Sequence, residues 1–329
     1  HRPNTLEGLI AIKNSNPEAR IVVGNTEVGI EVKFRNMVSK DVISTACVPE
    51  LHVLSMDAST LKVGASVTLS KLQTFCSKHK DTSNVLAAIY NQLRWFASTQ
   101  IRNAASLAGN IATASPISDM NPILTAVDAS LEIVSDNGHR TVNVRDFWLG
   151  YRNIAMESHE FIQSISIPLA MAGEGGIDVF EPYKQARRRE DDISIVTGGI
   201  GCRLLPSTDT PGSFTMTSVG LALGGVAPTT KLCTATCAFL EGKLLSRDTI
   251  DAAKLVLREE LMLPKEVPGG QPEYRMALSL SFLHKFYLTM CEKSGIELPH
   301  GELSGSESFL TASKPSVTGT QSYVHAGAS

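Results

Sequence analysis

The stretch that organises this chain runs from Ser106 to Pro122 and reads SLAGNIATASPISDMNP. It holds only small or medium side chains, and Asp119 is its single charge. Glycine allows another group to approach the backbone because it has no Cβ, while serine, threonine and asparagine add neutral hydrogen-bond donors. Such a segment suits the phosphate and sugar oxygens of a ligand. The same residue types also build ordinary turns between core elements, and from these residues alone the turn is the more frequent outcome.

Length and composition exclude several classes of protein. The 329 residues favour two domains, and 43% hydrophobic residues are enough for two cores. A net charge of −3 gives no basis for binding nucleic acid, and no apolar run reaches the roughly 20 residues that a membrane span needs. The six cysteines and eight histidines are dispersed without metal-ligand spacing. We therefore expect no nucleic-acid partner, no membrane span and no metal site in this chain.

A second small-residue turn lies near the amino terminus. The run RIVV at residues 20–23 predicts a buried strand, the turn GNTE follows at 24–27, and the apolar residues at 28–32 predict that the strand resumes. A strand followed by such a turn is typical of a phosphate-contacting loop. It matches neither the Gly-x-Gly-x-x-Gly fingerprint nor a P-loop, so neither a Rossmann domain nor an NTPase is predicted.

A predicted helix brings an aromatic residue to the start of the opening stretch. Apolar residues at helical spacing predict helices starting after Ser66 or Thr68 and running from Asn84 to Phe96. Phe96 continues the apolar face of the second helix, which favours a place in the core by about three to one. The alternative is an aromatic face laid against a planar ligand.

The glycine-rich segment at 173–176 predicts a domain boundary. Alternating patterns before it predict strands at 130–135, 140–144 and 161–168. After it the pattern predicts strands at 179–186, 193–204 and 214–223, then helices at 244–263 and 272–293. Serine, threonine, glycine and proline dominate from Gly301 onwards, which predicts a flexible linker.

One charged run, KQARRREDD at 184–192, separates its basic residues from its acidic ones. A run of this kind is usually a solvated face. Because the charges are segregated, it could also present guanidinium groups to a pyrophosphate and a carboxylate to a neighbouring ring.

Four motifs together resemble a known family. They are RIVVGNTE at 20–27, LRWFA at 93–97, ASLAGNIATASPISD at 105–119 and RREDD at 188–192. In this order they closely resemble the flavin domain of the xanthine dehydrogenases, in the molybdenum hydroxylase family, over roughly residues 1–296. The resemblance implies an α+β chain. A vanillyl-alcohol-oxidase-like (PCMH-type) two-lobed FAD-binding domain covers 1–172, a carbon monoxide dehydrogenase flavoprotein C-terminal-like domain covers 177–296, and a linker towards the molybdenum domains covers 297–329.

The resemblance also implies the cofactor site. The pyrophosphate of FAD is held, mainly by backbone amides, at Arg20, Ile21, Val22, Val23, Gly24, Asn25, Thr26, Glu27 and Val28. The rest of FAD, namely the remaining phosphate, the ribityl chain and the adenosine end, is bound by Ser106, Gly109, Asn110, Thr113, Ser115 and Asp119. Phe96 stacks on the isoalloxazine, Ile162 contacts the flavin through its backbone, and Lys184 lies near it. The resemblance places the NAD site at Tyr151 and Asp191. It implies that Phe96 and Asp191 are the catalytic residues. Ala108 stands where the family usually has glycine.

The implied function is the flavin module of an enzyme that oxidises hypoxanthine and xanthine to urate in purine catabolism. FAD receives electrons from iron–sulfur clusters and passes hydride to NAD⁺, or electrons to O₂. The ferredoxin cysteine spacing is absent, so the 2Fe-2S and molybdopterin parts are expected elsewhere in a longer, homodimeric parent in the cytoplasm, with the peroxisome as the alternative. Two other readings stay open: the flavin domain of an aldehyde oxidase or carbon monoxide dehydrogenase-type hydroxylase, and a non-catalytic nucleotide-binding or interaction module.

Overall fold

A computed structural model describes residues 1–187, 189–302 and 305. Its α-helices are α1 Leu6–Ser15, α2 Val28–Arg35, α3 Leu69–His79, α4 Asn84–Leu93, α5 Thr99–Ala104, α6 Leu107–Ala112, α7 Asn121–Ala126, α8 Val144–Phe147, α9 Thr234–Leu240, α10 Arg247–Leu261 and α11 Pro272–Ser294. Its strands are β1 Arg20–Val22, β2 Val42–Ser44, β3 Leu54–Met56, β4 Thr60–Gly64, β5 Ser130–Ser135, β6 Gly138–Asn143, β7 Trp148–Gly150, β8 Asn153–Ile154, β9 Phe161–Pro168, β10 Ile177–Ala186, β11 Ser194–Pro206, β12 Phe214–Gly224 and β13 Lys231–Leu232.

The first half of the chain forms two sheets besides the short antiparallel pair of β7 and β8. β1 and β2 pair in parallel, with Ile21 opposite Ile43. A five-stranded antiparallel sheet follows in the order β3-β4-β9-β5-β6, with β9 at its centre. Helix α3 begins at the predicted place, where the Thr68 hydroxyl accepts a hydrogen bond from the Lys71 N–H at 3.3 Å. Side chains of both sheets and of α1, α3 and α4 share one hydrophobic core.

The second half is built on a four-stranded antiparallel sheet in the order β10-β11-β12-β13. Helices α10 and α11 pack their apolar faces against a second hydrophobic core, and α11 ends where Gly295 takes the left-handed conformation with φ of 72°. The predicted α+β class and its two-domain architecture are confirmed by this arrangement together with the comparisons below. The glycine-rich segment 173–176 lies between β9 and β10. Most of the predicted linker at 297–329 lies outside the described residues.

The predicted return to a strand at residues 28–32 is wrong. Asn25 turns the chain with a φ of 57°, and helix α2 begins at Val28. The alternation of apolar residues imitates a strand, yet Glu31 is the one residue of this helix that is buried. The pairing of Glu31 with arginines, described below, replaces the usual apolar packing of a helix face.

The loop predicted from Ser106 onwards is wrong in its first half, which is helical. Ser106 caps α6, because its hydroxyl accepts a hydrogen bond from the Gly109 N–H at 3.1 Å. The chain then turns at Ala114, whose φ is 49°, and enters α7 at Asn121. Helix α4 likewise ends at Leu93 instead of Phe96.

Helix α7 joins the two halves through glycines of the second sheet. A Cβ on Gly220 would lie 2.2 Å from the Ala126 carbonyl oxygen, and one on Gly199 would lie 2.6 Å from the Pro122 carbonyl oxygen. The helix backbone therefore rests directly on β11 and β12. The end of the opening stretch is thus held in place by the second domain.

Candidate cofactor site

The two segments selected for the phosphates of a cofactor touch each other. A Cβ on Gly24 would lie 1.9 Å from the Ala104 carbonyl oxygen, so no side chain fits at this position. Ala105, which comes next, accepts a hydrogen bond from the Leu69 N–H at 2.9 Å. The structure therefore brings the turn after β1 against the residues that lead into α6, and α3 fixes them there.

Arg152 connects the same two segments from another side, and sequence reasoning missed it. It lies in the turn between β7 and β8 with a φ of 54°. Its guanidinium donates to Glu27 at 2.8 Å and to Glu31 at 3.1 Å, and its N–H donates to the Ala114 carbonyl oxygen at 3.4 Å. The sequence marks Arg152 only as the neighbour of the predicted residue Tyr151. The carboxylates that Arg152 binds lie about 120 residues earlier, so no local pattern connects them to it.

Arg20 completes this group of charges. Its guanidinium lies 2.5 Å from a Glu31 carboxylate oxygen, and Glu31 is 4% exposed. We call Arg20, Glu27, Glu31 and Arg152 the Glu31 cluster. Two arginines that share one buried carboxylate fix the position of α2 relative to β1 and to the β7–β8 turn. The loop at 24–28 is thereby held at both of its ends.

Most predicted polar side chains of the opening stretch form hydrogen bonds inside the protein, and most of them accept. The Thr113 hydroxyl donates to the Gly109 carbonyl oxygen at 2.8 Å, and the Ser115 hydroxyl accepts from the Ile117 N–H at 3.4 Å. The Asn110 side-chain oxygen accepts from the Ser118 hydroxyl at 2.6 Å. These hydrogen bonds shape the loop, and they leave the Asn110 NH₂ group and backbone amides as donors for a ligand.

Asp119 is held by the second domain. One carboxylate oxygen lies 2.5 Å from the Lys184 Nζ and the other accepts from the Ser194 hydroxyl at 2.5 Å, and the carboxylate is almost fully buried. Burial raises the pKa of Asp119, and the attraction of Lys184 opposes the rise. Lys184, also buried, donates to the Trp95 carbonyl oxygen at 2.8 Å as well. Both predicted site residues therefore form an internal ion pair that joins the opening stretch to β10 and β11.

Phe96 lies beside the acidic segment, half buried against the first core. The next residue, Ala97, has a φ of 43°, and its N–H donates to the Asp192 carboxylate at 2.6 Å. Arg102 donates to both the Phe96 and the Ala97 carbonyl oxygens, at 2.7 and 2.9 Å. The predicted residue Asp191 is exposed, and its carboxylate accepts from the Ile193 N–H at 3.0 Å. The structure thus places Asp192, rather than Asp191, directly on the Phe96 turn.

The two remaining predicted site residues, Tyr151 and Ile162, lie in different elements of the first domain. Tyr151 is exposed in the β7–β8 turn, with its ring centre 6.0 Å from the Arg152 guanidinium. Ile162 is buried in β9 opposite Ile133 of β5. Tyr151 is thus connected to the Glu31 cluster through Arg152. Nothing in these contacts joins Ile162 to the two loops.

The donors left over suit a dinucleotide pyrophosphate. Glu27, at the start of α2, makes no side-chain capping bond, and the Gly29 N–H donates to the Asn25 carbonyl oxygen at 3.1 Å. Among the described residues the Val28 and Ile30 N–H groups therefore stay available to an anion. Within the described residues no protein acceptor takes the Asn110 side-chain NH₂ group. The Gly24 turn and the start of α6 supply neutral amides of the kind that FAD phosphates need, so the residues present fit this cofactor.

The described residues lack the features of two other kinds of site. No group of three or more histidine, cysteine, aspartate or glutamate residues there is arranged to hold a metal ion. No helix there is both long and apolar enough to cross a membrane.

Comparison with protein families identifies the class. Residues 1–170 match the FAD binding domain in molybdopterin dehydrogenase, and residues 181–290 match the CO dehydrogenase flavoprotein C-terminal domain. The chain belongs to the FAD-binding domain family of the molybdopterin dehydrogenases. The sequence resemblance stated above is confirmed.

Individual curated proteins are similar to this chain over most of its length. The chain is 41% identical over 89% of its length to a xanthine dehydrogenase/oxidase of Gallus gallus, and 37% identical over 98% to a xanthine dehydrogenase of Oryza sativa subsp. japonica. It is also 37% identical over 90% to a nicotinate hydroxylase of Emericella nidulans. The chain spans between 21% and 24% of the length of these relatives.

Solved structures show the same fold. The quinoline 2-oxidoreductase of Pseudomonas putida 86 superposes with a TM-score of 0.75 at 24% identity, over 90% of this chain and 96% of that one. A carbon monoxide dehydrogenase chain of Hydrogenophaga pseudoflava gives 0.74 at 23% identity, over 86% of this chain and 93% of that one. The two-domain fold is therefore shared well beyond close sequence relatives.

Proposed function

We propose that this chain is the flavin module of a xanthine dehydrogenase that uses NAD⁺ as its electron acceptor. The observation that carries the proposal is the direct contact of the Gly24 turn with the residues that lead into α6, which brings two distant small-residue segments together. When bound there, FAD supplies two-electron redox chemistry, taking electrons from iron–sulfur centres elsewhere in the parent and giving hydride to NAD⁺. The relatives that are named xanthine dehydrogenases support xanthine as a substrate of the parent, and the sequence resemblance adds hypoxanthine to the proposal.

The residues of the chain have distinct roles in this proposal. Backbone amides of 24–28 and of the α6 segment hold the phosphates, and the Glu31 cluster keeps the first of these loops in position. Phe96 faces the ring system, and Arg102 and Asp192 fix the turn that carries it. Lys184 and Asp119 position the opening stretch and do not act on the reacting atoms.

The NAD⁺ partner is assigned to the exposed side of the acidic segment. Asp191 and Tyr151 are both exposed, as residues that meet a diffusing co-substrate must be. A carboxylate there stabilises the positive charge of oxidised nicotinamide and disfavours added electron density on the neighbouring ring. The parent is proposed to be a homodimer. Since all six cysteines are free, we also propose a reducing compartment: the cytoplasm, with the peroxisome as the alternative.

NADH reduction of the purified holoprotein tests the acceptor. The visible flavin spectrum establishes that FAD is bound, and rapid bleaching by NADH is expected from a dehydrogenase. A flavin that dithionite reduces but NADH does not would assign the chain to an aldehyde oxidase or a carbon monoxide dehydrogenase-type hydroxylase. A colourless protein that releases no flavin on heating would contradict the proposal and favour a non-catalytic module.

The substitution Asp191→Ala tests the role of the acidic segment. We expect NADH to reduce the flavin about tenfold more slowly, as for the loss of one charge near a reacting centre, while the FAD content is unchanged. Glu190→Ala is the matched control, because Glu190 is adjacent, exposed and paired with Arg187. Equal loss of flavin and of NADH reactivity in the Asp191 variant would show that the residue supports the fold instead.

A further inference from the structure

Arg275 is a buried cation with no carboxylate beside it. It lies in the first turn of α11 and is 8% exposed. In the described part of the chain its guanidinium makes no ion pair, and it donates to the Gly270 carbonyl oxygen at 2.9 Å and to the Gly225 carbonyl oxygen at 2.6 Å. Burial lowers the pKa of Arg275, and no neighbouring charge opposes this effect. Buried charges are normally paired, so this residue has to be explained by what it holds in place.

The Arg275 guanidinium holds two separate loops. Gly270 belongs to the loop before α11, and a Cβ on Gly269 would lie 2.6 Å from the Arg275 Nη2, so the backbone of this loop lies against the guanidinium. Gly225 forms the turn after β12 with a φ of 84°. Because Nε and Nη1 donate in fixed directions from one planar group, the arginine reaches both carbonyl oxygens at once. A lysine ammonium group lacks this geometry.

The Gly225 turn also bonds to the opening stretch. The Gly225 N–H donates to the Pro116 carbonyl oxygen at 2.7 Å. A Cβ on Gly225 would lie 2.1 Å from the Ile195 carbonyl oxygen, so the turn lies directly against the start of β11 as well. Pro116 follows Ser115, which is one of the residues predicted to bind FAD. Two hydrogen bonds through one glycine therefore connect the buried cation to the cofactor loop.

We propose that Arg275 is a positioning residue for FAD binding: through Gly225 it holds residues 115–118 of the opening stretch in the conformation that binds the cofactor. This rests on the proposed function, in which the opening stretch contacts FAD. Arg275 acts through Gly225 and not on the reacting atoms. Its charge serves this role, because a charged donor makes a stronger hydrogen bond than a neutral one. Without the guanidinium, the Gly225 and Gly270 carbonyl oxygens lose their donor and both loops gain freedom to move.

Amide hydrogen exchange of the holoprotein tests the positioning directly. In Arg275→Met we expect the peptide that covers residues 115–118 to exchange several-fold faster than in the unsubstituted protein, because its anchor at Gly225 is loosened. The dissociation constant of FAD, measured by flavin fluorescence, should rise about tenfold, as for the loss of one charged hydrogen bond. Arg275→Lys keeps the charge and should restore each quantity only in part. It is also the milder variant on which both measurements are made should Arg275→Met fail to fold.

Arg203→Met is the matched control. Arg203 is another arginine of the second domain that donates to backbone carbonyl oxygens, namely those of Met171, Ala172 and Gly175. These carbonyl groups lie outside the opening stretch. We therefore expect Arg203→Met to lower stability, with neither faster exchange at residues 115–118 nor weaker FAD binding.

The possible outcomes separate this inference from the proposed function. Unchanged exchange and FAD affinity in the folded Arg275 variants, or equal changes in Arg275→Met and Arg203→Met, would overturn the positioning role. Full restoration by Arg275→Lys would also overturn it, since the charge alone would then suffice without the bonds to both loops. A colourless unsubstituted protein would contradict the proposed function and, with it, any role in FAD binding. A bound flavin that NADH does not bleach would contradict the electron acceptor alone.

Discussion

Arg152 shows how one residue can organise a site without being recognisable in the sequence. It binds two carboxylates of the segment around α2 and the backbone of the opening stretch, and it takes a left-handed conformation to do so. Such a conformation costs a non-glycine residue free energy, which the ion pairs and the hydrogen bond offset. Arg152 is therefore best described as a positioning residue for the cofactor loops.

Replacing Arg152 by methionine should lower both flavin retention and stability. The Glu31 carboxylate would keep Arg20 alone, so we expect a loss of about 1–3 kcal/mol in the free energy of unfolding and a lower ratio of FAD to protein. Urea unfolding and the flavin spectrum measure the two effects. Arg152→Lys should restore only part of the stability and part of the flavin content, because a lysine lacks the planar guanidinium that donates to two carboxylates at once.

Arg145→Met is the control for this substitution. Arg145 lies on the surface and has an ion pair at 3.5 Å to the exposed Asp128, so its loss should change neither quantity. Full flavin content together with unchanged stability in the Arg152→Met variant would show that the cluster is dispensable.

At the scale of elements, an ion pair connects β6 of the five-stranded sheet to the residue before β9. Arg140 of β6 donates to both oxygens of Glu160, just before β9, at 2.7 Å each. The hydrogen bond from Arg140 lowers the pKa of Glu160 below its ordinary value of 4.5. A carboxyl with a lowered pKa in the folded state contributes stability above its unfolded pKa, and the contribution is lost as the pH falls through the folded value.

The substitution Arg140→Met should reveal this dependence. At pH 7 we expect the variant to be less stable than the unsubstituted chain by about 1–2 kcal/mol. The difference should shrink below pH 4.5, since Glu160 is then protonated in the unfolded chain and finally in the folded one. Urea unfolding at pH 7 and at acidic pH measures both values. A difference that does not change with pH would mean that Arg140 stabilises by packing alone.

A second element-scale link is the buried pair of Asp119 and Lys184. Lys184→Met leaves a buried carboxylate without its cation, which should cost about 3–5 kcal/mol. The double substitution Lys184→Met with Asp119→Asn should recover much of the loss, since it removes both charges. Urea unfolding of the two single variants and the double variant gives the coupling energy. Strictly additive effects would contradict a direct pair.

At the scale of the whole molecule, glycines decide how closely the two domains approach. Gly220→Ala would place a methyl group 2.2 Å from the Ala126 carbonyl oxygen, so α7 would have to move away from the second sheet. We expect a loss of about 1–3 kcal/mol, as for other overpacked sites, together with weaker flavin binding because α7 continues the opening stretch.

Gly150→Ala is the matched control for the domain contact. A Cβ at Gly150 meets its first neighbour, the Asn153 Cβ, only at 4.0 Å, so the substitution should be almost neutral. Thermal unfolding and flavin titration of both variants make the comparison. Equal effects of the two substitutions would show that close packing of α7 on the second sheet does not matter.

The sequence by itself determined the fold class, most of the strands and long helices, and the family, because these follow from hydrophobic period, turn residues and four ordered motifs. It did not determine that residues 28–32 form a helix, since their alternating apolar residues have the period of a strand, while α2 is placed by the ion pairs of its buried Glu31. Only the tertiary structure decided which side chains meet. Arg152 reaches Glu27 and Glu31 from more than 120 residues away, and Asp192 reaches Ala97 across 95.

The opening stretch shows the same division. Its small residues and its single carboxylate can be read directly from SLAGNIATASPISDMNP. Its first half is helical because Ser106 caps α6, and its carboxylate is internal because Lys184 and Ser194 of another sheet bind it. Long-range packing and electrostatics set these outcomes, and local sequence patterns carry no information about such partners.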